Sequence, residues 1–475
     1  MVMGELELKT QVLVIGAGPG GYAAAFRAAD LGLDVTMVDA APRPGGVCLF
    51  SGCIPSKTLL FLAQLIHDAR RAESMGVSFG PARVDLKQVR QWRGQVIEAL
   101  ARELVGLSRR RGVQLIRGVA RFEDAHTVRL QEAEVRRIVF EQAVIATGSR
   151  PVEFTGTIVS GAGNRIWYSN SALALAEVPQ KLLIIGGGFT GLELGTIYAT
   201  LGSQVTLAEM GDRLLPTADP DLVTPLERRL ESLFASIRLN TRIDALRSAD
   251  DAVEVIWPGD PPATAQRFDR VLVAIGRKPN TDALGLEQTR VGLDPDGFIR
   301  VDARQRTDEP SLLAVGDVTG SPLLAHKAFR QGKVAAEAIA GQPAGFDPQA
   351  IAAVVYTDPQ IAWCGLTEAA ARREGRPVKI ERFPWKYSDR AASMGTPEGL
   401  TKIITDPHNG RILGAGMVGR QAEALISEAV LAVEMGALAE DMALSIHPYP
   451  TLSETEAEAA ELFLGGTTHL LPRKK

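Results

Sequence analysis

An α/β chain in which one strand–turn–helix–strand unit is written twice, closed by an α+β domain, is the fold class this sequence predicts. Three observations carry that expectation. Residues Gln11 to Asp39 open on the apolar run "VLVI", pass through Gly16-x-Gly18-x-x-Gly21 and an Ala-rich stretch ending near Gly32, and finish on "VTMVD". The pattern returns from Leu182 to Glu209 as "LLII", Gly186-x-Gly188-x-x-Gly191 and "VTLAE", every landmark displaced by 170 residues. From Ile351 the chain turns to β-rich segments with Gly and Asn-Gly turns, then to helical stretches around Ala422 to Met435 and Glu454 to Phe463.

Each piece of the repeated unit has a physical reason. A short run of apolar residues reads as a strand. The first glycine permits a tight turn, the second lets a phosphate approach the backbone, and the third lets helix and strand pack closely. Free amides at the helix N-terminus, aided by the helix dipole, hold a pyrophosphate. Asp39 and Glu209 end the second strand of each unit, where a carboxylate accepts hydrogen bonds from ribose hydroxyls. Two fingerprints in full context predict two Rossmann-like dinucleotide-binding domains. A carboxylate at Glu209 repels the 2′-phosphate of NADP, so the second site is expected to take NAD.

The units also close alike, in "VIATGSRP" from Val144, with Thr147 and Gly148, and "LVAIGRKP" from Leu272, with Gly276. Downstream, "SLLAVGDVTGSPLLAHKAFRQGK" delivers Gly316 and Asp317 to a turn before a helix starting near Leu323 that includes Ala325. It reads as a further cofactor contact; the plainer alternative is a strand end with an Asp cap. The expected divisions are 1–150 and 151–280 for the two nucleotide domains, 281–350 for a central segment completing the first site, and 351–475 for the final domain.

Composition narrows the class of function. A 475-residue chain with 45% hydrophobic and 23% charged residues has the make-up of an ordinary globular protein. Its net charge of -4 leaves no basic footprint for nucleic acid or an anionic membrane. No sequence run reaches the roughly 18 apolar residues of a membrane span, and the N-terminus lacks a secretory pattern. Neither nucleic acid nor membrane is expected as a partner, and the cytoplasm is the expected location. Three cysteines cannot build a disulfide framework, and a pair in a reducing compartment points to catalysis or metal binding.

Two of those cysteines stand in "GGVCLFSGCIPSK". Cys48 and Cys53 lie where a loop enters a helix, with Pro55 in its first turn. There their Cα atoms can come within roughly 4.4–6.8 Å, the span of a disulfide. A helix N-terminus also favours a reactive thiolate. A metal would need two more ligands, and none of the six histidines stands at ligand spacing. The pattern favours a redox disulfide, with two inert buried thiols as the plain alternative. Cys364, alone in "AWCGLTE", reads as a small core residue.

Taken in order, "GAGPGGYAAAFRAADLG", "GGVCLFSGCIPSK", "IATGSRP", "GGGFTGLELGTIYATLGSQVTLAEM", "AVGDV" and "PTLSE" resemble the FAD-dependent pyridine nucleotide–disulfide oxidoreductases over essentially the whole chain. Within that family, "GCIPSK" and "GLELG" are most similar to the dihydrolipoamide dehydrogenases. The resemblance implies FAD on Gly16, Gly18, Gly21 and Asp39, with Gly316 and Asp317 at its ribityl chain and pyrophosphate. Gly46, Lys57, Thr147, Gly148 and Ala325 join the cofactor-binding positions, as does Gly276. It implies NAD on Gly186, Gly188, Gly191 and Glu209, on the flavin face opposite a Cys48–Cys53 disulfide. Cys53 would lie nearest the flavin as the charge-transfer thiolate, Cys48 would exchange with substrate, and Lys57 would pair with Glu193. The final domain would form a homodimer with shared active sites, serving a lipoyl domain or lipoyl carrier protein.

One departure bears on the chemistry. The family carries a His-x-His-Pro-Thr pattern whose second histidine is oriented by a Glu five residues on; this chain reads "SIHPYPTLSE". Without gaps, Tyr449 takes the base position, His447 the earlier histidine and Glu454 the orienting acid. A tyrosine, with an ordinary pKa near 10, is a poor base at neutral pH, so turnover is expected to be slow or shifted to alkaline pH. Phe189, where aliphatic residues are usual, is expected either to cover the flavin as a lid or to fill the pocket, and Val47 replaces a usual Thr. The alternative function is an NADH-dependent flavoprotein reductase of a quinone or another disulfide, or a transhydrogenase. A mercuric reductase is disfavoured, because the C-terminal "GTTHLLPRKK" lacks a second cysteine pair.

Overall fold

The computed structural model of the chain describes residues 6–154, 156–159, 165–243, 245–249, 251–257 and 265–471. Its first strand, Glu7–Ile15, pairs in parallel with Val35–Asp39 on one side and Arg137–Ile145 on the other. Val12 and Val14 point into one apolar cluster while Leu13 and Ile15 point into another. Burial on both faces is why the strand reads as a continuous apolar run. Helix Pro19–Asp30 makes the crossover, and Gln114–Arg117 extends the sheet beyond Val35–Asp39.

Strand Leu312–Ala314 returns to this first sheet, pairing Leu313 with Val144. The helix that follows, Ala325–Ile339, packs along Pro19–Asp30 at very close range. A side chain at Gly332 would collide with the Gly20 carbonyl oxygen and lie 2.9 Å from the Ala24 nitrogen. Gly332→Ala is therefore expected to cost about 1–3 kcal/mol by overpacking; an unchanged urea midpoint would show that the helices can separate freely.

The second unit repeats the plan with Lys181–Ile185, helix Phe189–Thr200 and Gln204–Ala208, flanked in parallel by Ser236–Arg238 and Arg270–Val273. Ser149–Pro151 and Arg277–Pro279 then pair antiparallel, so the closing turns of the two units meet each other. The final domain is a five-stranded antiparallel sheet in the order Ala353–Val355, Gln360–Gly365, Ile412–Gly419, Leu400–Thr405, Lys379–Pro384. Helices Ala422–Met435 and Glu454–Leu464 cover it. Cys364 sits in this domain's core, where burial pushes its thiol up to about 12.

One apolar cluster runs through all the parts, from Leu59 and Leu60 through Leu192 and Leu226 to Trp363 and Val418. The helical stretch Gly46–Met75 is long and apolar enough, by composition, to cross a membrane. It is nonetheless two helices, Gly46–Ser51 and Cys53–Arg71, broken at Gly52, and it carries Lys57 in a salt bridge. Leu59, Leu60, Ala63 and Ile66 form its buried face.

Candidate active site

The two glycine turns come first, because the rest is arranged around them. Gly16 and Gly186 have φ of +101° and +113°, and a Cβ on either would strike the carbonyl of Ala146 or Ala274. A Cβ on Gly21 or Gly191 would overlap the carbonyl oxygen of Gly16 or Gly186, so only glycine lets the helix seat this closely on the strand. Gly188 looks into open space, and Gly18 meets only the Cα of Gly46. Neither following helix has a side-chain cap, so its leading amides are left for an anion. Each turn is thus a cradle that fits a dinucleotide's phosphates.

Asp39 and Glu209 hold these turns from below. Asp39 accepts from the amides of Ala17 and Ala41 at 2.6 and 2.7 Å, and Glu209 from those of Gly187 and Gly211, both at 2.6 Å. Each carboxylate oxygen keeps a further lone pair. The sequence pointed to a ribose contact; the geometry adds that the same acids lock the turn.

The closing turns frame the space between. Thr147 donates to the Asn280 carbonyl at 2.9 Å, Asn280 donates back at 2.8 Å, and Gly148 and Gly276 take φ of +68° and +126°. Ser149 donates to Asp317 at 2.6 Å, and Arg277 donates to the Ser149 hydroxyl at 2.7 Å. Buried Gln331 accepts from the Gly316 amide at 2.9 Å. Ala325 begins the helix Ala325–Ile339, also without a side-chain cap. Ser149, Arg277 and Gln331 escaped sequence reasoning because ordinary polar residues give no signal until the fold gathers them.

The cysteines are joined. Cys48 and Cys53 form a disulfide with Cα atoms 4.7 Å apart. Sequence reasoning expected a loop leading to a helix near Pro55; instead Cys48 lies in the short helix Gly46–Ser51 and Cys53 is the first residue of Cys53–Arg71. Gly52 makes this possible, since a Cβ there would lie 2.9 Å from the Val47 carbonyl oxygen. The turn folds Cys53 back over Cys48. Gly46 ties it to the first cradle, because a Cβ on Gly46 would stand 2.6 Å from the Cα of Gly18.

Lys57 follows Cys53 by one helical turn and therefore shares its face. Its ammonium donates to both oxygens of Glu193, at 3.0 and 2.8 Å, and lies 4.4 Å from the centre of the Tyr356 ring. Glu193, only 5% exposed, also accepts from the Tyr356 amide at 3.1 Å. First unit, second unit and final domain meet at this one carboxylate. Phe189, at the start of the second helix, packs against Trp363 of the final domain with ring centres 5.7 Å apart.

Tyr449 stands apart from these groups, 67% exposed on the final domain. Its hydroxyl donates to Asp389 at 2.7 Å, and that bond pushes its pKa above the ordinary tyrosine value. Glu454, expected as the orienting acid, accepts from the Thr451 amide at 2.6 Å, tying down the turn before its helix. His447 is tucked in, its side chain 8% exposed, between Glu428 at 2.8 Å and the Ser445 carbonyl at 2.9 Å. With both ring nitrogens engaged, His447 is not the outward-facing group of this loop.

A disulfide at a helix entry, two amide cradles and an ion-paired lysine define a two-nucleotide disulfide oxidoreductase. Residues 10–332 match the family described as pyridine nucleotide-disulphide oxidoreductase, and residues 351–460 match its dimerisation domain. The chain belongs to that family and is an oxidoreductase enzyme. Its relatives include the dihydrolipoyl dehydrogenase of Haemophilus influenzae, 44% identical over 98% of this chain and 97% of the relative. The dihydrolipoyl dehydrogenase of Vibrio cholerae is 43% identical over 98% of both chains. Among solved structures, LpdA of Mycobacterium tuberculosis superposes with a TM-score of 0.88 at 27% identity, covering 95% of this chain and 99% of that one. The HOCl-induced flavoprotein disulfide reductase RclA of Escherichia coli superposes with a TM-score of 0.84 at 25% identity, over 95% and 99%.

Proposed function

We infer that this chain works as a dihydrolipoyl dehydrogenase, oxidising the dihydrolipoyl group of a lipoyl domain or lipoyl carrier protein with NAD as final acceptor. The observation that carries this reading is the Cys48–Cys53 disulfide closed beside the first cradle. FAD fits that cradle through Gly16, Gly18, Gly21 and Asp39, with Gly46, Thr147, Gly148, Gly316, Asp317 and Ala325 around it. NAD fits the second through Gly186, Gly188, Gly191 and Glu209, with Gly276 at the closing turn. Bound FAD supplies a carrier that takes an electron pair from a dithiol and passes it to a nicotinamide as hydride.

The chain's own groups do the rest. A substrate thiolate attacks Sγ of Cys48, the Cys48–Cys53 bond breaks, and Cys53 leaves as a thiolate. The second substrate thiol then displaces Cys48, so the substrate leaves as a disulfide and the enzyme holds a dithiol. The helix N-terminus stabilises the Cys53 thiolate. Lys57, fixed by Glu193, holds a positive charge one turn away. The dimerisation domain supports a homodimer, and the exposure of Tyr449 supports its facing the disulfide of the second copy. Cysteine use supports a cytoplasmic location.

The test is NADH formation from dihydrolipoamide and NAD by the FAD-loaded enzyme, repeated with NADP. Turnover with NAD is expected to exceed that with NADP by at least about tenfold, because the Glu209 carboxylate repels a 2′-phosphate. Equal rates would remove Glu209 as the discriminator. No NADH at all, with the enzyme still oxidising NADH, would favour a second reading, reduction of a different disulfide or acceptor. Tyr449 supports that second reading, since a tyrosine held by Asp389 is a poor base.

A further inference from the structure

The loop that carries Tyr449 has a histidine beside it that comes from elsewhere in the chain. Tyr387, Asp389, Tyr449, Glu454, Glu458 and His469 line one cleft on the final domain. His469 belongs to the tail after helix Glu454–Leu464, and its Nδ1 stands 2.6 Å from Glu458 Oε1. Glu458 is nearly buried and is fixed on its other oxygen by the Thr467 hydroxyl. A carboxylate bound to Nδ1 sets the imidazole's orientation and tautomer and leaves Nε2 to exchange a proton.

We propose that His469, oriented by Glu458, is the general base of this chain for the substrate thiol, taking the part that Tyr449 cannot. The proposal rests on the dihydrolipoyl reading and on a homodimer arranged so that this cleft faces the second copy's disulfide. In the step, the proton of the dihydrolipoyl thiol passes to Nε2 of His469. The resulting thiolate sulfur bonds to Sγ of Cys48, and the Cys48–Cys53 bond breaks with its electron pair on Cys53. The second substrate sulfur then closes the substrate disulfide by breaking the bond to Sγ of Cys48, which leaves and takes that second thiol's proton, and the first proton passes from His469 to solvent.

The charges around the imidazole decide where it titrates. Glu458 and Glu454 face it from their helix, Asp389 from the helix Asp389–Ser393, and the hydroxyls of Tyr387 and Tyr449 complete the wall. The bond to Glu458 raises the His469 pKa above the ordinary imidazole value, and Asp389 and Glu454 push the same way. A base is active when deprotonated, so turnover should rise with pH through that raised value. Were Tyr449 the base, the rise would come only above the ordinary tyrosine pKa, near 10.

The test uses the holoenzyme and two readouts. His469→Gln should lower dihydrolipoamide turnover at pH 7.5 by about 100-fold, the order expected for a lost general base, and erase the neutral-to-alkaline rise. His408→Gln, on an exposed turn of the same domain, should stay within about threefold. The second readout needs no lipoamide: enzyme reduced with dithiothreitol and freed of it under argon is alkylated with iodoacetamide, and Cys48 is followed by peptide mass. In His469→Gln the alkylation rate at pH 7 should fall about tenfold, as the Cys48 thiol returns towards a free thiol near 8.5. His469→Arg should restore alkylation, which needs only the charge, but not turnover, which needs a proton acceptor. Unchanged alkylation and turnover within twofold in His469→Gln would overturn the proposal. A parent enzyme inactive on dihydrolipoamide but sensitive in alkylation would leave His469 beside Cys48 and defeat the lipoamide reading instead.

Discussion

Cys48→Ser is expected to abolish NADH formation from dihydrolipoamide, by more than about a thousandfold, as losses of a nucleophilic centre generally do. A serine oxygen cannot form the mixed disulfide, so the substrate thiolate has no sulfur to attack. Cys364 offers no substitute, because it is buried in the final domain's core with its thiol pushed up to about 12. NADH oxidation by a dye that bypasses the disulfide should stay within about threefold of the parent, since the cradles and the Lys57–Glu193 pair are untouched. Retained dihydrolipoamide turnover would mean that electrons reach the nicotinamide without the disulfide, and the proposed mechanism would fail. Loss of both activities would point to a damaged site rather than a missing sulfur.

The second large effect lies away from the chemistry. Lys402, on strand Leu400–Thr405, is 1% exposed, and its ammonium stands 2.7 Å from Asp219, 2.7 Å from Asp221 and 2.8 Å from Glu368. Asp219 and Asp221 begin the helix Pro220–Leu233 of the second unit, whereas Lys402 and Glu368 belong to the final domain. Arg382 adds a bond to Asp221 at 2.7 Å and another to Glu368. This cluster fastens one part of the molecule to another. Lys402→Met leaves three carboxylates facing one another with only the guanidiniums of Arg382 and Arg372 beside them, and removal of one partner from a buried ionic group costs about 3–5 kcal/mol. Urea unfolding should show a loss of that size, and a change below about 1 kcal/mol would mean that water enters and solvates the acids.

The pH dependence of that latch has a definite sign. Burial alone would lift the Asp221 carboxyl, but Lys402 and Arg382 hold it below the ordinary carboxylate range. A group whose folded pKa is depressed contributes stability above its unfolded pKa, near 3.9. That contribution falls away as acid protonates it, so the two parts should loosen on acidification.

Much of the site could be read directly because its signals are local. The glycine spacing, the acids at the strand ends, the cysteine pair and the offset repeat all lie within single short segments. Steric and hydrogen-bonding demands within one turn select those residue types, so the type and spacing report the demand. The final helices were legible for a similar reason: Ala422–Met435 and Glu454–Leu464 carry uninterrupted helical pattern. The helix Gly46–Ser51 was not, because six residues between glycines look like a loop and its geometry is imposed by contact with Gly18.

By itself, then, the sequence determined the repeated nucleotide units, the cysteine pair and the interrupted histidine pattern. Only the tertiary structure decided which distant groups those motifs meet. It set Tyr449 on Asp389 instead of Glu454, turned His447 inward to Glu428, and brought His469 into the cleft from the tail. It also returned Leu312–Ala314 to the first sheet and set Lys402 among three acids. The physical reason is that such partners are chosen by burial and charge across the whole folded chain, where a polar group taken from water must find whatever partner the packing leaves beside it.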